Sequence, residues 1–305
     1  MDSPADYASR YKNLPIDFAD GSVKIVIERY HIGDPDAEGG VLAQVVKEYF
    51  HTHKKKDSTF TLDLFVNGKP TSIPTYEETV WHVAAPFWGK GSPEDCQITA
   101  QLAALMKRTS KEHLARYCDQ HMGLDCNGFV GNYLFRVHNG NLWNVKAKAA
   151  DKPDDDLGPS SSMDKFAAAG HAVKDLTSMN PANLHLFIEV DGAYRVISGG
   201  KSGAGHIVIS EPNKYTPTSF VVNSFGGLDL GYARKGAYGH PALWAVEATG
   251  PQGAIGLKQS WYAIKRPLLI GRRKPVSHGI YEVFRGSKAT DLNFALVAIP
   301  PLPPP

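Results

Sequence analysis

The order of its hydrophobic patterns is what most constrains this chain. Beyond its N-terminal stretch, apolar residues at helical spacing come first, and strand-like runs follow. LHLFIEV (184–190), GHIVIS (205–210) and LWAVEAT (243–249) are short and rich in β-branched or aromatic side chains. A fourth run, SFVVNSF (219–225), lies between the last two. Helices first and strands later are consistent with an α+β class. No internal repeat suggests a solenoid or propeller.

The first twenty residues are polar, carry two prolines and read as an arm or leading loop. VKIVIERY (23–30) alternates apolar and polar side chains, as a half-buried strand does. In GVLAQVVKEYFHTH (40–53), Leu42, Val45, Val46, Tyr49 and Phe50 mark one helix face. The Lys54-Lys55-Lys56 run then suits the negative end of the helix dipole, or simply a solvated face. FTLDLFV and KPTSI flank Asn67-Gly68, the strongest short signal for a β-hairpin. Residues 1–86 are therefore expected to be a small β-rich N-terminal unit with one helix, and residues 87–305 the larger domain. In the latter, Ser92 is placed as an N-cap with Pro93 at the first helical position, and Ser110 is placed to cap a second helix. Residues 144–162, rich in Asp, Pro, Gly and Ser, read as a mobile surface insertion that rims or gates a groove. From Leu257 on, eight Lys or Arg stand against two acids, a charge suited to an anionic polymer. A proline-rich tail closes the chain.

Cys126 carries the clearest chemical signal. It follows the turn Gly123-Leu124-Asp125 and precedes Phe129, Val130, Tyr133 and Leu134 at helical spacing. That places it in the first turn of a helix, where unpaired N–H groups favour a thiolate. Its plain alternative is an inert buried cysteine. His206 opens a strand after the Gly-rich loop 199–205, where an imidazole can serve as base. Glu247 is an acid inside an apolar strand, where a charge needs a partner, and His206 would be that partner. Asn223 is the rival for the third position. Cys118, His121 and Cys126 lie close enough in sequence to suggest zinc, but they fall short of a four-ligand set.

D-C-N-G-F-V, then G-H-I-V-I, then V-E-A-T-G resemble the NlpC-type papain-like endopeptidases, with the Cys-His-Glu order of the related CHAP-type amidases. The likeness covers about residues 87–265. It implies a papain-like α+β fold in which the nucleophile helix packs on an antiparallel sheet. It further implies Cys126 as nucleophile, His206 as base and Glu247 as orienter, with no cofactor and no metal. Asp125 and Asn127 flank the nucleophile as candidate substrate or oxyanion contacts. Asn127 replaces the usual Ser, and Phe87 in PFWGKG (86–91) lacks the hydroxyl of the family's comparable segment.

The implied substrate is a peptide-type amide in peptidoglycan stem peptides. A cytosolic amidase or esterase and a degenerate binding domain are the other readings. The formal charge of +2 argues against a dedicated nucleic-acid partner. Three cysteines cannot form a disulfide framework. No apolar run reaches the roughly 20 residues of a membrane span. The N-terminus lacks a Sec-type signal, so synthesis in the cytoplasm is expected. A wall substrate would then require a specialised export route to the periplasm or a target cell, with a secretion-system or immunity partner.

Overall fold

The computed structural model describes residues 2–31, 37–138, 158–197, 205–216, 240–250, 253–268, 279–285 and 290–299. The chain divides into two compact units: Tyr7–Asn132 with Ala248–Leu257, and Met1–Asp6 with Tyr133–Glu247 and Lys258–Pro305.

From Tyr7 on, the first unit opens with most of helix α1 (Pro4–Lys12), followed by hairpin β1 (Leu14–Phe18) and β2 (Gly21–Ile25). The expected leading loop is thus structured. Tyr7 and Tyr11, one helical turn apart, are buried and meet edge to face at 5.5 Å, and both approach Phe129. Two aromatic side chains on one face can anchor a short helix. Helix α2 (Ala37–Lys56) buries Leu42, Val46 and Phe50. Strands β3 (Leu62–Val66) and β4 (Lys69–Ile73) pair antiparallel. Asn67 and Gly68 both take positive φ, 52° and 73°, as a type I′ turn requires.

Helix α3 (Tyr76–Ala84) leads through a short 3₁₀ turn at Ala85–Trp88 to α4 (Pro93–Leu105). Ser92 and Asp95 form a reciprocal capping box, and Asp95 also pairs with His82. On α4, Gln101 accepts from the Phe65 N–H and donates to its carbonyl. Gln97 does the same work for Asn67 N–H and Pro15 carbonyl. Two glutamines one turn apart thereby satisfy backbone groups that the two hairpins leave unpaired. Helices α5 (Leu114–His121) and α6 (Cys126–His138) follow. Ser110 makes no side-chain cap bond; a 3₁₀ turn at Lys111–His113 leads into α5.

The second unit holds helix α7 (Met163–Ala169) and strands β5 (His171–Ala172), β6 (Leu184–Glu189), β7 (Ile207–Thr216), β8 (Ala242–Ala248), β9 (Leu257–Pro267), β10 (Gly279–Arg285) and β11 (Thr290–Ile299). Their order is β10-β9-β8-β7-β6-β11, and β10 also bonds to β11. Six antiparallel strands therefore close into a barrel. The seventh, β5, continues the β11 edge at Val297 and Ala298, beyond the last rung of β10. Closure corrects the expected papain-like arrangement. The inner sheet face is filled by the barrel's own side chains, among them Phe187, Val208, Leu243, Tyr262, Val283 and Phe294, and not by a nucleophile helix. Phe187, Tyr262 and Phe294, from three different strands, meet with ring centroids 5.1–6.0 Å apart. Helix α7 lies against β6 and β11.

Strand parity places five polar side chains on that inner face. His185 shares the parity of Phe187, Ser210 that of Val208, Glu247 that of Ala245, Ser260 that of Tyr262, and Arg285 that of Val283. All five are buried. The ring nitrogens of His185 and the hydroxyl of Ser260 have no hydrogen-bond partner among the described residues.

The basic stretch after Leu257 is also corrected in part. Lys265 and Arg266 both pair with Glu282, and Arg285 is buried, so these charges are compensated within the fold. Arg272, Arg273, Lys274, Lys288, the proline-rich tail, SFVVNSF and residues 144–157 of the insertion lie outside the described residues. Gly158–Ser162, the rest of that insertion, leads into α7, whose N-cap is Ser162.

Candidate functional site

In the first unit, Cys126 is the first residue of α6, as the sequence pattern predicts. Asp125 caps the helix. Its Oδ1 accepts from the Gly128 N–H, and its carbonyl accepts the first helical bond from Phe129 N–H at 3.0 Å. Its Oδ2 pairs with Lys90 Nζ at 2.5 Å. Burial raises the Asp125 pKa, with Lys90 and the Gly128 N–H opposing. Both carboxylate oxygens of this candidate substrate contact are thus engaged in building the turn. The Cys126 thiol donates to Asn127 Oδ1 at 3.7 Å.

The PFWGKG segment, separated from Cys126 by two helices in sequence, is beside it in space. The Asp125 N–H donates to the Gly89 carbonyl at 3.0 Å, the Gly123 N–H to Pro86, and the Asn132 amide to Lys90. Gly89 has φ 73°, and a Cβ there would press on the His31 carbonyl and the Asp125 N–H. A Cβ on Gly128 would strike the Gly89 carbonyl. The two glycines let two backbones approach closely enough to fix the start of α6.

The other cysteines have a different character. Cys118 is fully buried and desolvation pushes its pKa up to about 12; Cys96 is raised well above its ordinary value for the same reason. Both are kept as thiols. Among the described residues no group of three His, Cys, Asp or Glu side chains could hold a metal.

In the second unit the structure brings His206 and Glu247 together. His206 immediately precedes β7, Glu247 lies on the adjoining β8, and His206 Nε2 is 2.8 Å from Glu247 Oε2. Glu247 is wholly buried and His206 nearly so. The anticipated pairing of a charged residue on an apolar strand with this imidazole is present. Asn223 lies outside the described residues.

Two further members escaped the sequence reading. Arg285, on β10, donates through Nη2 to Glu247 Oε2 at 2.6 Å, and its Nε lies 3.2 Å from the same oxygen. The Arg285 Nη2 also lies 2.8 Å from His206 Nε2, and its Nε donates to Tyr262 Oη at 3.0 Å. Burial disfavours the guanidinium charge, but Tyr262 and Glu247 more than compensate, so Arg285 remains charged. Burial holds Tyr262 as the phenol. The signal was present in GIYEVFR, where Arg285 continues the inward parity of Tyr281 and Val283. A charge on an apolar strand face implies a buried counterion.

No protein-family model matches the chain, and no similar protein was found among curated sequences or solved structures.

Proposed function

We propose that the chain is a cysteine hydrolase of peptide-type amide bonds, with Cys126 as nucleophile, His206 as base and Glu247 as the acid that orients it. The buried His206–Glu247 pair carries this reading, because a carboxylate on one ring nitrogen fixes the imidazole and stabilises its charged form. The helix-start position of Cys126 supports it, since partial positive charge there favours the thiolate. The sequence motifs, and not the fold, carry the likeness to the NlpC-type enzymes.

In this chemistry His206 Nδ1 takes the thiol proton and the thiolate attacks the carbonyl carbon. The tetrahedral intermediate expels the amine, which leaves with the proton from the imidazolium. Water, deprotonated by His206, then cleaves the thioester and restores the thiol. The backbone N–H groups at the start of α6 are the candidate oxyanion donors. By motif resemblance the substrate is a stem-peptide amide of peptidoglycan, reached by specialised export as an antibacterial effector.

The test is modification at pH 7 with a thiol-reactive amide mimic, located by mass spectrometry, in wild type and in His206→Gln. Selective modification of Cys126, slowed in His206→Gln, is the expected result. Digestion of purified peptidoglycan then identifies the bond cut. A second reading, a non-catalytic barrel, is favoured by Arg285, which already neutralises Glu247. Cys126 no more reactive than Cys118, with no dependence on His206, would establish it.

A further inference from the structure

The contacts of His206 Nε2 are mutually exclusive in their protons. Glu247 Oε2, at 2.8 Å, can only accept, and requires Nε2–H. Arg285 Nη2, also at 2.8 Å, can only donate, and requires a bare Nε2. Glu247 Oε2 already faces Arg285 Nη2 and Nε, so its charge is answered without the imidazole. A guanidinium does not lose its proton in a protein, so an Nε2–H at that distance would set two donors against each other. An imidazolium would add a like charge beside Arg285. A bare Nε2 sets its lone pair against Glu247 Oε2, but that oxygen already accepts from two Arg285 N–H groups, so the arrangement that also satisfies the remaining Nη2 proton leaves Nε2 bare and puts the single proton on Nδ1.

We propose that Arg285 is a positioning residue that holds His206 as the neutral Nδ1–H tautomer, a resting form that cannot take up a thiol proton. This rests on the hydrolase reading for its consequence, but not for the tautomer itself. Nδ1 becomes a base only when the guanidinium leaves Nε2, the ring proton moves to Nε2 and Glu247 accepts it. Among the described residues, Glu247 on β8, Tyr262 on β9 and Arg285 on β10 bear on this switch. Tyr262 is placed to keep the guanidinium in position by accepting from Nε.

The experiment is ¹⁵N NMR of histidine-labelled full-length protein at pH 7.5. His206 is assigned by its loss in His206→Gln. The wild type is expected to show a protonated, pyrrole-type Nδ1 and a bare, pyridine-type Nε2. Arg285→Met alone strands a buried carboxylate and risks unfolding. Arg285→Met combined with Glu247→Gln leaves no buried charge and keeps an amide oxygen that can accept from Nε2. In that double variant the two signals should exchange identities, and alkylation of Cys126 should accelerate at least tenfold. A wild type with protonated Nε2, or a double variant with unchanged tautomer, overturns the proposal. Exchanged NMR signals without any His206 dependence of Cys126 alkylation would support the tautomer assignment and sink the hydrolase reading instead.

Discussion

His185 offers a direct measure of how dry the barrel interior is. Its side chain is fully inaccessible, neither ring nitrogen makes a well-formed hydrogen bond to the described residues, and burial pushes its pKa down to about 4. The Asn183 carbonyl pulls in the opposite direction without reversing it. In the unfolded chain the same imidazole titrates near 6.5. Between these values the unfolded state binds a proton that the folded state refuses, so stability falls as pH is lowered. The contribution is complete above about pH 6.5 and exhausted near pH 4. One pH unit of such a difference is worth about 1.4 kcal/mol, which makes the whole interval about 3 kcal/mol. The assay is urea unfolding followed by far-UV circular dichroism at pH 4.5, 5.5, 6.5 and 7.5, for wild type and His185→Leu. Other groups, including His82, whose Asp95 hydrogen bond raises its pKa and gives a contribution lost as pH rises, are common to both proteins and cancel. The wild-type midpoint should fall relative to the variant by about 1 M urea across the range. At pH 7.5 the variant should be at least as stable, because leucine removes two unsatisfied polar atoms. Parallel curves for the two proteins would refute the reasoning, since His185 would then gain its proton in the folded state.

Gly128→Ala should destabilise the first unit by about 3 kcal/mol or more, because backbone of Gly89 cannot yield to the new Cβ; the urea midpoint reads this directly. Gln101→Leu should cost about 2 kcal/mol by leaving the Phe65 N–H and carbonyl without their partner, and faster amide exchange at Phe65 should accompany the loss. Iodoacetamide at pH 8 should leave native Cys96 and Cys118 unmodified and react with both after denaturation, because burial holds their thiols protonated. Modification of Cys118 at the rate of a free thiol would show that its site opens to solvent.

Features set by a few adjacent residues were legible in the sequence. Asn67-Gly68 specified its turn, Ser92-Pro93 its helix start, and the turn before Cys126 placed that residue at the head of α6. The pairing of His206 with Glu247 followed from a charge on an apolar strand. Features set by distant pairing were not legible. In β9 to β11 the alternation of LKQSWYAIKRP and GIYEVFR was masked by its charges, which suggested a basic tail. Lys265, Arg266 and Arg285 in fact oppose Glu282 and Glu247 across strands. Nothing local in the sequence announces that β10 will bond to β11, and that one pairing separates a closed barrel from an open sheet. In α1, two buried tyrosines outweighed prolines that suggested a loop.

Ring closure has a consequence for how the second unit is made. Strand β11 is the last of the seven in sequence, yet it mates with both β6 and β10 and carries β5 as well. Its rungs join residues as distant as His171 and Ala298. During synthesis every earlier strand must wait for it, holding two unpaired edges and an unfilled apolar lumen in the meantime. Pairings of such long sequence separation form slowly, because the chain entropy of closing the loop is lost before the contacts are gained. A ribosome stalled before Thr290 would therefore display an adhesive half-built sheet, and removal of Thr290–Ile299 should yield a product that aggregates where the full chain does not.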